Sequence, residues 1–474
     1  MISKAWRYAL KNFWLGTIIF LFLVTRLYKI SEVPGSVYWD EASIGYNAFA
    51  ISTDLKDEWG EFLPLHFRAF GEFKLPVYIY SVAILTKLFG SSEFTLRLPS
   101  VLYSLGIIII VYFLTLKISK DEKIGLLSSF LLSISPWFFI FSRTGYEATA
   151  GLFFFLGFVY FLLFNEGKKI NIFLTSLFAV LSFYSYNSFR ILIPIFFVVW
   201  LLKTCLFDKN EIKKSLFGII AVAFFVLSLI PAIRLYKYDA GVVRLTTIGI
   251  KDPKIFFSNY YSHFTVDFLY KSGDVNDRSQ VPGRGELYFV GLPFFLMGIF
   301  VLLINKNKFS WIFITFLLIG GVPAALTREA PHALRAILLA PTFSIISSFG
   351  IIRLLDRYEI KKYSKLFLIG LIITYILFFR RYFLDFINNY NLKTGDSWQI
   401  QYKTLFMDVK KSGKKDKIVV TDEYAQPYIF ALYYLKYPPQ EFRSTVKYNA
   451  PDKWGFSTVE SFGNFQFKNL NDEK

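Results

Sequence analysis

The 474-residue chain is too apolar for a soluble protein, since 54% of its residues are hydrophobic and 20% are aromatic. Its formal net charge of +18 would suggest a nucleic-acid partner in a soluble protein. Most basic residues, however, lie in short loops between apolar runs, where they orient the chain and meet anionic lipid head groups. We therefore expect membrane lipids as partners and no nucleic acid. The one cysteine, Cys205, excludes an internal disulfide.

The amino terminus predicts an uncleaved first membrane span. Three basic residues precede the apolar run 15–24, so the amino end is expected in the cytoplasm. No small-residue cleavage site follows the run, so it is expected to remain as a span and not to be removed as a signal peptide. Apolar windows of sufficient length predict about eleven membrane-spanning helices. They lie near residues 14–30, 97–118, 123–142, 148–164, 170–187, 190–207, 214–233, 286–304, 309–326, 336–352 and 365–381.

The segment 75–89 decides the topology because it is apolar but short. If it lies flat in the outer interface as an amphipathic helix, every cytoplasmic loop is basic, as the positive-inside rule requires. These cytoplasmic loops are 119–123, 165–171, 208–214, 305–308 and 353–365. The first loop (31–96), the turn 142–147, the loop 234–285, the turn 327–335 and the tail then share the extracytoplasmic side.

The tail has a different pattern from the rest of the chain. A helix is predicted over 398–411, a strand over 417–421 and a second helix over 424–435. We therefore expect a transmembrane catalytic domain over residues 1–382 and a small extracytoplasmic α/β domain over 383–474.

The first outer loop carries adjacent carboxylates, Asp40 and Glu41, directly after the first span. One interpretation is structural: Asp40 is the N-cap of a helix, and the Glu41 carboxylate interacts favourably with the positive end of the helix dipole. The other is catalytic, because a carboxylate at the edge of a low-dielectric region is suited to act as a general base. Glu147, in the short turn on the same side, is either a solvated helix start or a second acidic group of the same site.

Basic residues in these segments are candidates for binding a phosphate. Lys74, Arg143 and Arg335 each lie at the outer end of an apolar run, where the alternative is a side chain that snorkels to the interface. His263 and Glu72 could contact a divalent metal or phosphate, but no paired histidine or cysteine spacing supports a metal site. There is no glycine-rich phosphate loop, so nucleotide chemistry on the cytoplasmic face is not expected.

These motifs together resemble the GT-C glycosyltransferases, within them the branch that contains protein O-mannosyltransferases and the lipid A aminoarabinose transferase. The first four spans match best. The motifs are Trp39-Asp40-Glu41, Phe73-Lys74-Leu75-Pro76, Phe94 to Ser100, Ser142-Arg143 with Glu147, Asn259 to Phe264, Phe268 to Asp274, and Pro331 to Arg335.

The resemblance implies roles for individual residues. Asp40 corresponds to the catalytic acidic residue of the family and Glu41 to its usual neighbour. Glu147 takes the place of a second acidic residue that is most often Asp, while Lys74 corresponds to a residue linked to the polyprenyl phosphate. His263 lies near a histidine implicated in metal or phosphate contact. The separation of Glu72 from Lys74 by Phe73 departs from the family pattern at the metal site.

The expected function is therefore an inverting, membrane-integral transfer of a sugar. The donor would be a polyprenyl-phosphate-linked sugar, and the acceptor a protein hydroxyl or a glycolipid on the outer face of the plasma membrane. A lipid-linked sugar transporter is the alternative, although its expected buried charges and internal repeats are missing from the sequence. A non-catalytic sugar-binding scaffold would not need the Asp40 and Glu147 pair.

Overall fold

The chain folds into an apolar helical bundle that carries a small mixed sheet near its C-terminal end. The computed structural model describes residues 2–164, 169–207, 218–220, 223, 225–235, 249–250, 252–304, 309–356, 362–413, 416–422, 426–451 and 456–469. Of the predicted segments, the loops 208–214 and 305–308, most of the loop 165–171, and parts of the span 214–233 and of the loops 234–285 and 353–365 lie outside the described residues.

The amino-terminal half contains nine helices within its described residues and one hairpin. They are α1 (Ile2–Leu27), α2 (Trp39–Asp54), β1 (Phe67–Ala69), β2 (Glu72–Lys74), α3 (Pro76–Phe89), α4 (Glu93–Ser119), α5 (Glu122–Ser133), α6 (Pro136–Phe141), α7 (Ala148–Leu163), α8 (Lys169–Phe183) and α9 (Asn187–Phe207). Local sequence explains several boundaries. Ser92 forms a capping box with Thr95 at the start of α4, and Pro136 opens α6, where its missing N–H is harmless.

The later helices follow with longer connections. They are α10 (Ile230–Leu235), α11 (Pro253–Ser262), α12 (Leu292–Ile304), α13 (Trp311–Ile319), α14 (Val322–Ala325), α15 (Leu339–Leu355) and α16 (Ser364–Thr394). The predicted spans 123–142 and 309–326 are each divided, into α5 with α6 and into α13 with α14. The predicted loop 234–285 contains a helix, α11. Helix α16 continues to Thr394, beyond the predicted domain boundary at residue 382.

Three helices in the described part of the chain are long and apolar enough to cross a membrane. They are Glu93–Ser119, Asn187–Thr204 and Ser364–Thr394. Shorter apolar helices also occur, among them Phe13–Leu27, Ala148–Leu163 and Leu339–Leu355. The bundle is therefore of the membrane type by length and composition.

The C-terminal region, defined here as residues 400–469, combines helices with a sheet. Its elements are α17 (Ile400–Ser412), β3 (Ile418–Thr421), α18 (Pro427–Leu435), α19 (Pro439–Thr445), β4 (Lys447–Tyr448), β5 (Val459–Phe462) and β6 (Phe465–Lys468). The strand order is β3-β6-β5-β4, with β3 parallel to β6 and the other pairs antiparallel. The predicted strand and the two predicted helices of this region are confirmed to within about three residues.

Two apolar cores hold the molecule together. One lies within the helical bundle and includes Trp137, Phe155 and Phe343. The other joins α2 and α3 to the C-terminal region, where residues such as Tyr46 and Phe430 are buried together. The second core fixes the first outer loop against the C-terminal region, and so determines what surrounds Asp40.

Candidate active site

A cavity of about 700 Å³ lies where the first outer loop meets the later loops. Its wall comes from the start of α2, the hairpin β1–β2, the turn before α7, the α8–α9 connection and two later loops. The residues that line it are 38–40, 70–75, 146–147, 185–187, 274–276, 278–279, 329, 331–332 and 334–335. Segments that are far apart in sequence therefore supply the charged groups of one cavity.

Asp40 lies in this cavity and forms an ion pair with Lys74. The Lys74 Nζ is 2.5 Å from Asp40 Oδ1, and the lysine side chain is only 5% exposed. Burial disfavours the ammonium form, but the nearby Asp40 and Glu147 carboxylates raise the pKa of Lys74 above its ordinary value. Helix α2 begins at Trp39 after an N-cap at Tyr38. Asp40 therefore stands inside the first turn and is not the N-cap, so this part of the structural interpretation is wrong. Both Asp40 and Glu41 lie in the first turn, where a carboxylate interacts favourably with the helix dipole.

Glu147 faces the same cavity from the N-cap position of α7 and makes no capping hydrogen bond there. Burial is the main cause of a raised pKa at Glu147, and the Asp40 carboxylate adds to it, whereas Lys74 opposes it. Asp40 and Glu147 are thus two carboxylates of one site with different environments. One is ion-paired and one is poorly solvated, a combination typical of acid and base roles in enzymes.

Glu41 points away from this cavity, into the protein interior. Its carboxylate is fully buried and binds the Arg97 guanidinium through two hydrogen bonds, of 3.2 Å from Nε and 3.0 Å from Nη2. It also accepts a 2.5 Å hydrogen bond from the Gly145 N–H. Glu41 therefore joins α2 to α4 and to the turn that carries Glu147. Its geometry does not support the catalytic role predicted for it.

Arg143 is also remote from the cavity wall. Its side chain is fully buried, and its terminal nitrogens donate to the carbonyl oxygens of Thr25, Tyr28 and Val33 at 2.9 Å. The guanidinium closes the turn that follows α1. This position does not fit the predicted contact with a donor phosphate, because both terminal nitrogens already hold backbone carbonyls and Nε, which has no partner in the described part of the chain, is buried.

Arg335 does line the cavity. Its Nη1 donates to Thr327 Oγ1 at 2.8 Å and its Nη2 pairs with Glu329 at 2.9 Å. The Arg335 side chain is only 11% exposed, whereas that of Glu329 is 69% exposed. Arg335 therefore presents a largely buried guanidinium at the cavity wall, held by Thr327 and Glu329.

Of the two residues predicted for metal or phosphate contact, Glu72 lines the cavity and His263 does not. His263 is buried; its Nδ1 bonds the Asn259 carbonyl at 2.8 Å, and its Nε2 accepts from the His332 N–H at 3.0 Å. Glu72 is in the cavity, but the Lys74 ammonium lies between it and Asp40, 3.8 Å from Glu72 Oε1. No group of three or more His, Cys, Asp or Glu residues among the described residues is placed to hold a metal.

The sequence interpretation gave no role to three charged residues of the cavity, Asp274, Arg278 and Glu329. Asp274 accepts hydrogen bonds from Asn276 N–H at 2.9 Å and Ala333 N–H at 2.6 Å, and thereby joins two loops of the cavity wall. The Arg278 guanidinium lies 4.9 Å from the centre of the Tyr38 ring and donates to the Ser397 carbonyl at 3.1 Å. No spacing in the sequence marks Arg278, because its partners come from distant segments.

The fold and the cavity define a membrane-type helical protein with a mixed acidic and basic site beside its first loop. This is the architecture that the resemblance to GT-C glycosyltransferases implies. A family model described as dolichyl-phosphate-mannose-protein mannosyltransferase matches residues 74–233. The predicted resemblance to polyprenyl-phosphate-sugar glycosyltransferases of the GT-C superfamily is confirmed. No curated protein matches the sequence.

Solved structures show the same fold. The oligosaccharyltransferase AglB from Archaeoglobus fulgidus, in complex with an inhibitory peptide and a dolichol-phosphate, is similar with a TM-score of 0.58 at 12% identity, over 90% of this chain and 64% of that one. ArnT from Cupriavidus metallidurans, bound to undecaprenyl phosphate, is similar with a TM-score of 0.54 at 12% identity, over 90% of this chain and 85% of that one. This chain spans less than two thirds of the archaeal protein's length.

Proposed function

We propose that the protein is an integral membrane glycosyltransferase that moves a sugar from a polyprenyl phosphate to an acceptor hydroxyl or glycolipid. The observation that carries this proposal is the convergence of Asp40, Lys74, Glu147 and Arg335 on one cavity. Two structures with the same fold hold dolichol-phosphate and undecaprenyl phosphate, which supports a lipid-phosphate donor.

The proposed reaction is a single displacement. The acceptor oxygen attacks the anomeric carbon from the side opposite the lipid phosphate. As the new C–O bond forms, the bond from the anomeric carbon to the phosphate oxygen breaks, and its electron pair leaves with the phosphate. The acceptor proton passes to Asp40. The configuration at the anomeric carbon is thereby inverted.

The cations of the cavity have a defined task in this reaction. Negative charge accumulates on the lipid phosphate as the glycosidic bond breaks, so a preformed cation lowers the barrier most where that charge develops. Lys74 supplies a point charge, and Arg335 supplies a planar fork suited to phosphate oxygens.

Glu147 is proposed to orient the acceptor. Its pKa is raised by burial, so its carboxylate is a stronger hydrogen-bond acceptor than a fully solvated one. A hydroxyl held by Glu147 and Asp40 together would be fixed in direction before attack, which removes much of the entropic part of the barrier.

The proposed topology places the cavity on the extracytoplasmic side of the plasma membrane. It keeps the eleven predicted spans, with α3 flat in the outer interface and the C-terminal region outside. Basic residues in the predicted cytoplasmic loops support this orientation. Labelling of single introduced cysteines in the loop 119–123 and in the turn 327–335 by an impermeant reagent would test it.

Transfer from a radiolabelled polyprenyl-phosphate sugar to membrane acceptors tests the function. We expect Asp40→Asn to lower turnover by about 10²-fold or more, since it removes the general base, while the protein still elutes as the folded species. Asp396→Asn is a matched control, because Asp396 is exposed and outside the cavity. Near-normal turnover by Asp40→Asn would contradict the base role.

The same preparation separates transfer from transport. A lipid-linked sugar transporter, the alternative that the sequence interpretation kept, would exchange labelled glycolipid across vesicles without forming a new glycoside. Counterflow without product formation would favour that alternative, whereas product formation without counterflow favours the transferase.

A further inference from the structure

We infer that the C-terminal region positions Lys74, by holding the β1–β2 hairpin that carries this lysine into the cavity. That the C-terminal region holds the hairpin in place does not depend on what the protein does. The expected effect on turnover rests on the function proposed above.

The hairpin presents two different faces. The pairing is Phe67 with Lys74, Arg68 with Phe73, and Ala69 with Glu72. Because successive residues of a strand point to opposite sides, Lys74 and Glu72 share one face. That face meets Asp40, with Lys74 Nζ 2.5 Å from Asp40 Oδ1.

Aromatic residues of the C-terminal region contact the opposite face and the hairpin tip. The Phe456 ring lies 5.5 Å from the Phe73 ring in an edge-to-face arrangement. The Tyr428 ring lies 6.2 Å from the Phe70 ring at the tip. Both C-terminal rings are largely buried, at 8% and 5% exposure, so these contacts are well packed.

A third contact reaches the hairpin through the loop before it. Tyr448 stacks on Trp59 with ring centres 4.6 Å apart, and the Arg68 guanidinium lies 5.7 Å from the centre of the Trp59 ring. Arg68 is the cross-strand partner of Phe73. Tyr428, Tyr448 and Phe456 therefore pack on the hairpin tip and on the face opposite Lys74, directly or through Trp59, although the Arg68 side chain on that face is still 42% exposed and also pairs with Glu61.

This cover matters because the hairpin cannot hold itself in place. Each strand has three residues, and a two-stranded hairpin is at best marginally stable in water without packing. Part of the packing that fixes its direction comes from the C-terminal region, while Phe67 also packs on Tyr80 of α3 and Phe73 on His66. A shift of the hairpin would move Lys74 away from Asp40 and from the position where the leaving phosphate develops charge, and such misplacement lowers turnover.

Amine acylation of the full-length protein in lipid nanodiscs, read by peptide mass spectrometry, tests the inference without any need for activity. In the native protein Lys74 should react slowly, because it is buried and ion-paired. We expect Phe456→Ala to raise the acylation rate of Lys74 about two- to tenfold, the range equivalent to the loss of one aromatic pair. Phe456→Tyr keeps the ring and should react like the native protein.

Arg443→Gln is the matched control. Arg443 also joins the C-terminal region to the first loop, through Asp54 and the Asp57 carbonyl, but it does not touch the hairpin strands. Turnover should fall in Phe456→Ala and change little in Arg443→Gln. Equal acylation of Lys74 in both variants, or no increase in Phe456→Ala, would overturn the inference.

The acylation pattern decides the inference whether or not the native protein transfers sugar. Inactive native protein with the expected acylation pattern would refute the proposed function and leave the hairpin support established. An active native protein whose Lys74 acylation is unchanged in Phe456→Ala would support the proposed function and refute the hairpin inference.

Discussion

The Glu41→Gln substitution separates a structural role from a catalytic one. Glu41 and Arg97 are both fully buried and hydrogen-bonded to each other. Glutamine retains the size and one carbonyl oxygen, so it can still accept the hydrogen bond from Gly145. It removes the negative charge, and Arg97 is then a buried cation without a counter-ion.

The structure gives the magnitude of the expected loss. Breaking a buried ion pair by neutralising one partner destabilises a protein by about 3–5 kcal/mol. Arg97 keeps its hydrogen bonds to the carbonyls of Ile30, Pro34 and Ser36, which favours the lower end of this range. For a chain of 474 residues, an unfolding entropy of about 1 kcal/mol/K converts the loss to a fall of roughly 3 °C in the melting midpoint.

Thermal unfolding followed by tryptophan fluorescence in one detergent checks this value. Asp396→Asn is the control, since Asp396 is exposed and its neutralisation should change the melting midpoint by less than about 1 °C. Glu41→Gln should therefore lose stability and activity together, whereas Asp396→Asn should lose neither. A Glu41→Gln protein that melts like the native one yet fails to turn over would refute the structural role.

Two further predictions concern carboxyl groups with raised pKa values. Burial and the Asp40 carboxylate raise the pKa of Glu147, so activity that needs the Glu147 carboxylate should decline on acidification at a higher pH than it would for an exposed glutamate. Glu147→Gln should remove this decline from the acid side of the pH profile of kcat/KM. An unchanged decline in the variant would contradict the role assigned to Glu147. Burial, reinforced by Asp57, raises the pKa of Glu58 from 4.5 to about 8, so the folded state holds a proton that the unfolded chain releases. The contribution of Glu58 to stability should therefore fall as pH rises from about 4.5 to about 8, by roughly 1.4 kcal/mol per pH unit. Melting curves at pH 5 and pH 8 should show that Glu58→Gln removes most of this difference, and an equal pH dependence in both proteins would contradict it.

The helical elements follow from patterns within single segments. Apolar runs such as 97–118 predict long helices, and α4 covers that window because its apolar residues and its Ser92 cap act locally. The same local logic predicts the strand at 417–421 and the helices beside it. The prediction of one span over 123–142 fails at Ser135 and Pro136, where the chain forms two helices. Hydropathy does not reveal a break in the helix between apolar residues.

The candidate site could be predicted only in part. Asp40, Lys74, Glu147 and Arg335 were accessible to sequence reasoning, because each stands at the outer end of an apolar run and matches a motif of the resembling family. Arg278 was not accessible, since its contacts with Tyr38 and Ser397 join segments more than a hundred residues apart.

Sequence by itself determined which charged residues could reach the edge of the membrane, because hydropathy and charge are properties of each segment. Tertiary structure alone decided which of them face the cavity. Asp40 and Glu41 are neighbours in the chain, yet successive residues of a helix point about 100° apart, so one meets Lys74 in the cavity and the other meets Arg97 in the interior. Arg143 and Lys74 are both cations at helix ends, and only packing directs one to backbone carbonyls and the other to a carboxylate of the cavity.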